Sequence, residues 1–160
     1  AAVVEGVGRW AEAENASVAV IPLHPPADGP VAAKALERLG PRGRLVPVYG
    51  QPAAAAAIMG QLRIVLGVRL HALILASAAA VPWVGVAYDP KVTALANAAA
   101  LPALPVMGLG AEVVVASLQR VRDAEEEVRA RLRSSLSRWR EMAERNVELL
   151  VKMAEGQASR

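Results

Sequence analysis

Apolar positions fall along this chain in short unbroken runs, separated by longer stretches of mixed pattern. Ser17–Leu23 (SVAVIPL) is a β-branched run halted by His24, Pro25 and Pro26, which predicts a buried strand. Asp28 then stands where it could cap a helix that Pro30 opens, with Val31–Leu39 running to a stop at Gly40-Pro41. Leu45–Tyr49 reads as a second strand ended by Gly50, and Pro52–Gly60 as an alanine-rich helix. Arg63–Gly67 is a third strand, Arg69–Ala80 an apolar helix, and Pro82–Tyr88 a fourth strand. Lys91–Ala100 is a helix, Leu104–Met107 a short fifth strand, and Ala111–Leu118 a further helix or turn. From Val121 to about Glu155, apolar residues recur at helical spacing among charges, as one or two amphipathic helices. Unbroken, that segment would span ~51 Å, longer than one small domain needs, and would pack across a second domain. The alternative is a broken pair of helices covering the sheet edge.

Strands alternating with helices of 8–12 residues predict βαβ units. The fold class is therefore α/β: a Rossmann-like parallel sheet with helices on both faces and a long C-terminal helical segment. The continuous apolar character of the strands fits burial on both faces. The organisation expected is a Rossmann-like domain over residues 1–118 and a charged amphipathic helix over 119–160. In such sheets ligands sit outside the carboxyl ends of the strands. Functional residues are thus expected just after Leu23, Tyr49, Gly67 and Val86.

Composition narrows the chemistry. Hydrophobic residues make up 54% of the 160, which excludes global disorder. Aromatics are 3% with no Phe, and alanine is the commonest residue at 34 positions, so the elements must approach closely, backbone near backbone. Cysteine is absent and there are two histidines, which excludes a disulfide framework and any Cys- or His-rich metal cluster. The net charge of +3 hides an uneven distribution: 18 of the last 42 residues are charged, against 15 of the first 118. The charged segment is nearly balanced, so it reads as a solvated helix and not as a nucleic-acid surface. The uncharged stretches Ala72–Tyr88 and Val92–Ala111 are interrupted by proline or glycine, so neither makes a good transmembrane helix. The opening AAVVEGVGRW lacks the charged start of a secretion signal, and the chain reads as a fragment of a longer protein. A cytoplasmic location is expected, the inner face of the membrane included.

Gly6-Val7-Gly8-Arg9-Trp10-Ala11 spells GxGxxA, but a dinucleotide fingerprint needs a preceding strand and an acid at the end of the next one. The next strand ends in Leu23-His24-Pro25, so the segment reads better as the tail of an amphipathic helix. The informative segment is Gly67-Val68-Arg69-Leu70-His71, which follows a strand and opens a helix. Helix N-termini offer free N–H groups and partial positive charge, and a guanidinium grips phosphate or carboxylate with two bonds. Imidazole titrates near neutrality and suits proton transfer. Lys91, in Tyr88-Asp89-Pro90-Lys91, is a second cation at a helix start, and both offend the dipole unless an anion binds. A blander arrangement pairs Arg69 with Asp89 and leaves His71 a satisfied core histidine. His24 and Asp89 are further candidates for lining the cleft.

The segment GVRLHALILASAAAVPWVGVAYDPKV closely resembles the signature of bacterial polysaccharide pyruvyl transferases of the cell-surface anchoring type. IPLHPPADGPVAAKALERLG and ERNVELL resemble flanking parts of the same family, so the chain is similar to its C-terminal half. The resemblance implies one domain of a GT-B-like fold, with residues 1–118 as the donor-binding domain. It implies transfer of the pyruvyl group of phosphoenolpyruvate to a sugar of a cell-wall polysaccharide precursor, forming a pyruvate ketal. The acceptor would carry N-acetylmannosamine, often lipid-linked, and the product polymer would anchor surface-layer proteins. It assigns Arg69, His71 and Lys91 to the phosphoenolpyruvate site, with Leu70 contributing backbone contact; the chemistry of the residues themselves makes His71 the expected general acid/base. Neither a cofactor nor a metal is expected, nor nucleic acid as partner; a homo-oligomer is one outcome. The fragment alone is expected to be inactive. Val68 and Trp83 depart from the family's usual Met and small aliphatic, and both are expected on core faces. A GT-B glycosyltransferase or nucleotide-sugar-binding domain, and a non-catalytic interaction module, stay open as alternatives.

Overall fold

A computed structural model describes residues 2–48 and 50–158. Helix α1 (Ala2–Ala13) leads into strand β1 (Val18–Val20) and helix α2 (Pro25–Leu39). Helix α2 begins earlier than the sequence suggested: Pro25 and Pro26 occupy its first positions and Pro30 lies inside it. Proline has no N–H to leave unsatisfied in a first turn and its φ is already helical, so the pair nucleates the helix. Asp28 is consequently a first-turn residue, not the cap.

A turn of 3-10 helix (Gly40–Arg42) precedes strand β2 (Gly43–Leu45), which runs parallel to β1 with Val18 opposite Gly43 and Val20 opposite Leu45. The Val46 N–H adds a bond to the Val20 carbonyl. The expected strand at Leu45–Tyr49 is thus displaced towards the N-terminus. Pro47 has no N–H to offer, so the ladder cannot run through that segment. Tyr49 itself lies outside the described residues.

Then follow α3 (Pro52–Met59), β3 (Val65–Gly67), α4 (Leu70–Ala78), β4 (Trp83–Ala87), α5 (Pro90–Ala99), β5 (Ala103–Pro105), α6 (Ala111–Asp123) and α7 (Glu125–Ala158). Strands β3, β4 and β5 pair in that order, all parallel, with Gly67 opposite Gly85 and Val86 opposite Leu104. The architecture is therefore α/β with parallel strands joined by helices, as the alternating pattern predicts. Among the described residues the hydrogen-bonded ladder comes in two pieces, β1–β2 and β3–β4–β5, rather than one sheet.

Strand β4 is the centre of the core. Trp83 and Gly85 look towards α4 and α5, where a Cβ on Gly85 would meet Val92 and Leu73. Val84 and Val86 point the other way and are also buried, and α6 packs on β4 as well. Burial of both alternating sets is what makes the strand read as one apolar run. Trp83 is fully buried, as expected, but Val68 is not on a core face: it is 46% exposed in the turn after β3.

The GxGxxA segment is part of α1, in keeping with the helical reading. A methyl on Gly6 would stand 2.6 Å from Val114 Cβ and 2.7 Å from the Ala111 carbonyl oxygen, so glycine lets α1 lie directly on α6. The indole of Trp10 is buried in the same contact and donates to Gln119 Oε1 at 3.1 Å.

The charged C-terminal segment is one helix of 34 residues, separated from α6 at Ala124. Its first turns pack on α4, α5 and α6 through Val128 and Leu132, both buried. Arg129 donates to the carbonyl of Ala80 beyond α4, and Arg131 to that of Ala100 beyond α5. These guanidiniums meet the carbonyl-rich ends of two helices, where cations are favoured. From Arg140 to Ala154 every residue is exposed, including Met142, Val147, Leu150 and Met153. Among the described residues, no helix is long and apolar enough to cross a membrane.

Candidate functional site

The carboxyl ends of β3 and β4 lie side by side, and each passes directly into a helix. Gly67 ends β3 because helix α4 turns back onto it at close range. A Cβ there would overlap Leu73 Cδ2 and stand 3.0 Å from Leu73 Cγ. Arg69 is the N-cap of α4, with extended backbone (φ −82°, ψ 131°) and no side-chain cap bond. Leu70 and His71 are the first residues of that helix, where backbone N–H groups have no intrahelical acceptor. No acidic residue stands in the first turn of α4.

Helix α5 starts differently. Asp89 is its N-cap and Pro90 its first residue, and Asp89 Oδ1 accepts the Lys91 backbone N–H at 2.8 Å. Asp89 therefore satisfies its own helix. Of the two adjacent helix starts, α5 carries an internal carboxylate and α4 does not.

Arg69 does not pair with Asp89. Its partner is Asp28, 41 positions away on the first turn of α2: Nε donates to Oδ1 at 3.1 Å and Nη2 donates to the same oxygen at 2.5 Å. The other oxygen, Oδ2, accepts the backbone N–H of His24 at 2.9 Å. Burial alone would push the Asp28 carboxyl up. The bonds from Arg69 and from the His24 N–H, with the Arg69 charge, outweigh that and hold it below its usual value. Arg69 in turn is raised, first by its bond to Asp28 and then by that carboxylate's charge, with a smaller contribution from Tyr88 beyond β4.

The junctions after β1, β3 and β4 thus contribute Asp28, Arg69 and Tyr88 to one cluster. Since β1 and β3 belong to separate ladders, the Asp28–Arg69 pair is a side-chain tie between the two groups of strands. His71 is exposed on the first turn of α4, so it is not a core histidine. Lys91 is exposed on the first turn of α5, and His24 is exposed at the N-cap of α2. Arg69, His71 and Lys91 thus share the sheet rim by position, and the bonds at this rim centre on Arg69. Among the described residues no three acidic or histidine side chains gather as a metal site.

Sequence reasoning missed Asp28 as a member of this cluster. A signal was present: Asp89-Pro90 is a cap followed by a first-turn proline, which commits Asp89 to its own helix. Asp28 is then the acid left over at another strand-to-helix junction. Two grooves lie away from the rim. One, of about 790 Å³, runs between α1 and the end of α2 and is lined by Arg9, Arg38 and Arg42 among others. The other, of about 450 Å³, lies between α5 and α7 beside Arg131 and Arg138.

Parallel strands that deliver a guanidinium, an imidazole and an ammonium, with two carboxylates among them, to neighbouring helix starts define an α/β protein with a charged rim. The family model for polysaccharide pyruvyl transferases matches residues 8–90, just over half of the chain, and the chain belongs to that family. The matched span holds Asp28, Arg69, His71, Tyr88 and Asp89 and stops one residue before Lys91. No curated protein and no solved structure matches the chain. Membership makes transfer to a polysaccharide the general kind of activity.

Proposed function

We propose that this chain is the donor-binding half of a GT-B-like transferase that moves the pyruvyl group of phosphoenolpyruvate onto two hydroxyls of a cell-wall precursor sugar. The double bond of the donor takes a proton at its methylene carbon. The carbon bearing the phosphate is then attacked in turn by the two hydroxyl oxygens, and phosphate leaves. One hydroxyl proton balances the new methyl group and the other departs with phosphate, so no oxidant or reductant is needed.

The observation that carries this reading is the start of α4. Arg69 caps it without a side-chain cap bond, no carboxylate occupies its first turn, and its free N–H groups sit at the carboxyl end of β3. A three-carbon donor with a phosphate and a carboxylate suits that site, and Arg69 offers it a planar fork of donors. Lys91 supplies a second cation on α5, and Leu70 a backbone N–H. His71, exposed on the same turn, is the general acid/base. An open rim is what half of an interdomain cleft looks like, and the acceptor side belongs to the other domain. The fragment alone is therefore inactive, and the enzyme works in the cytoplasm, where phosphoenolpyruvate and a lipid-linked precursor meet.

The test uses the full-length enzyme and follows phosphate release from phosphoenolpyruvate with an N-acetylmannosamine-bearing acceptor. His71→Ala should lose most turnover, and Arg69→Ala should weaken donor binding. Thermal shifts with phosphoenolpyruvate, phosphate and UDP-sugars give a second readout, since a ligand of the native state raises its apparent stability. Stabilisation by UDP-sugars and not by phosphoenolpyruvate, or full activity of the His71 variant, would overturn the assignment.

A further inference from the structure

We propose that Asp28 is a positioning residue for Arg69, fixing which edge of the guanidinium faces an incoming anionic donor. The inference rests on the donor reading above and extends it to a residue in a different βα junction.

The two oxygens of Asp28 have separate tasks. Oδ2 takes the His24 N–H, which fastens the carboxylate to the start of its own helix. Oδ1 takes both Nε and Nη2 of Arg69. A guanidinium is planar and rigid, so engaging the Nε edge fixes the direction of the opposite, Nη1-bearing edge. Without that partner, Arg69 would be a long side chain, 42% exposed, with four torsions to order when a ligand arrives. Ordering the fork beforehand removes that cost from binding. The base of the device is stiff as well. Pro25 and Pro26, with φ fixed by their rings, open α2 three and two residues before Asp28. The carboxylate stays ionised well below neutrality, so the tie is present wherever the enzyme is assayed.

An opposite role is conceivable on electrostatic grounds alone. A carboxylate on Arg69 also cancels positive charge, and if it merely competed with the donor, removing it would tighten donor binding. The two roles therefore predict changes of opposite sign.

The experiment is steady-state kinetics on the full-length enzyme with phosphoenolpyruvate as the varied substrate. In Asp28→Asn one carbonyl oxygen remains to accept the His24 N–H, while an NH2 group is turned towards the donors of Arg69. The expected result is a donor KM raised about ten- to a hundredfold, with kcat changed less than about threefold. Asp28→Glu, which restores the charge, should recover part of that loss. In an Arg69→Ala background, Asp28→Asn should add nothing further, because the residue acts through Arg69. A donor KM unchanged or lowered in Asp28→Asn would overturn the positioning role, as would effects that add in the double variant. If Arg69→Ala itself leaves the donor KM unchanged, the donor reading falls and this role with it.

Discussion

The indole N–H of Trp83, on the central strand, donates to the hydroxyl of Ser77 on α4 at 2.8 Å, and both residues are buried. A tryptophan can be sealed into a core only if its N–H finds a partner there. Ser77→Ala would leave that donor unpaired, and the expected cost is about 1–3 kcal/mol. Thermal or denaturant unfolding of the variant checks it; a midpoint equal to the parent's would show that the bond contributes nothing.

Leu73, fully buried, fills the space left by the missing side chains of Gly67 and Gly85. Leu73→Ala should destabilise by about 2–5 kcal/mol. Gly67→Ala should cost about 1–3 kcal/mol, because its methyl needs room that Leu73 occupies. Together the two changes should cost less than their sum, since truncating Leu73 opens the space the new methyl requires. Strict additivity in unfolding measurements would refute the contact.

The Asp28–Arg69 pair makes stability depend on acid. The Asp28 carboxyl titrates lower in the folded protein than in the unfolded chain, where a value near 3.9 is usual. Its contribution is complete above the unfolded value and is lost as pH falls through the folded one. In Asp28→Asn that contribution is absent throughout, so the gap in melting temperature from the parent should narrow below about pH 4. A gap that is constant from pH 3 to pH 7 would contradict this.

Helix α7 should divide into two parts in its effect on stability. Leu132 is fully buried, and Leu132→Ala should cost about 2–5 kcal/mol. Removing residues 140–158 takes away a stretch whose described side chains are all exposed, so the melting temperature should move by no more than a few degrees. A large drop on truncation would mean that the outer turns hold the fold together.

Most of the fold was legible because α/β units have strong local punctuation. The strand ending at Gly67, the helix starting at about Lys91 and the helix stop at Gly60 were each visible in the chain. Two boundaries slipped where prolines carry two meanings. Pro25-Pro26, expected to halt a strand reaching Leu23, open α2 instead, and β1 already stops at Val20; Pro47 forbids the ladder that Leu45–Tyr49 suggests. At the rim, Arg69, His71 and Lys91 could be placed at helix starts because position along the chain fixes that much. The partner of Arg69, 41 residues away and on a separate ladder, was legible only indirectly, through the commitment of Asp89 to its own helix. The resemblance identified the family, and the wide burial of β4 explains why its strand reads as uniformly apolar.

Leu73, wedged beneath two glycines, has a bearing on how such a protein can change over generations. Beneath the rim, Leu73 lies against both Gly67 and Gly85, an aliphatic contact that none of the exposed rim side chains makes. Exposed rim positions such as His71 and Lys91 can therefore change without disturbing that contact, so the chemistry of the mouth and the packing beneath it are separable in this chain.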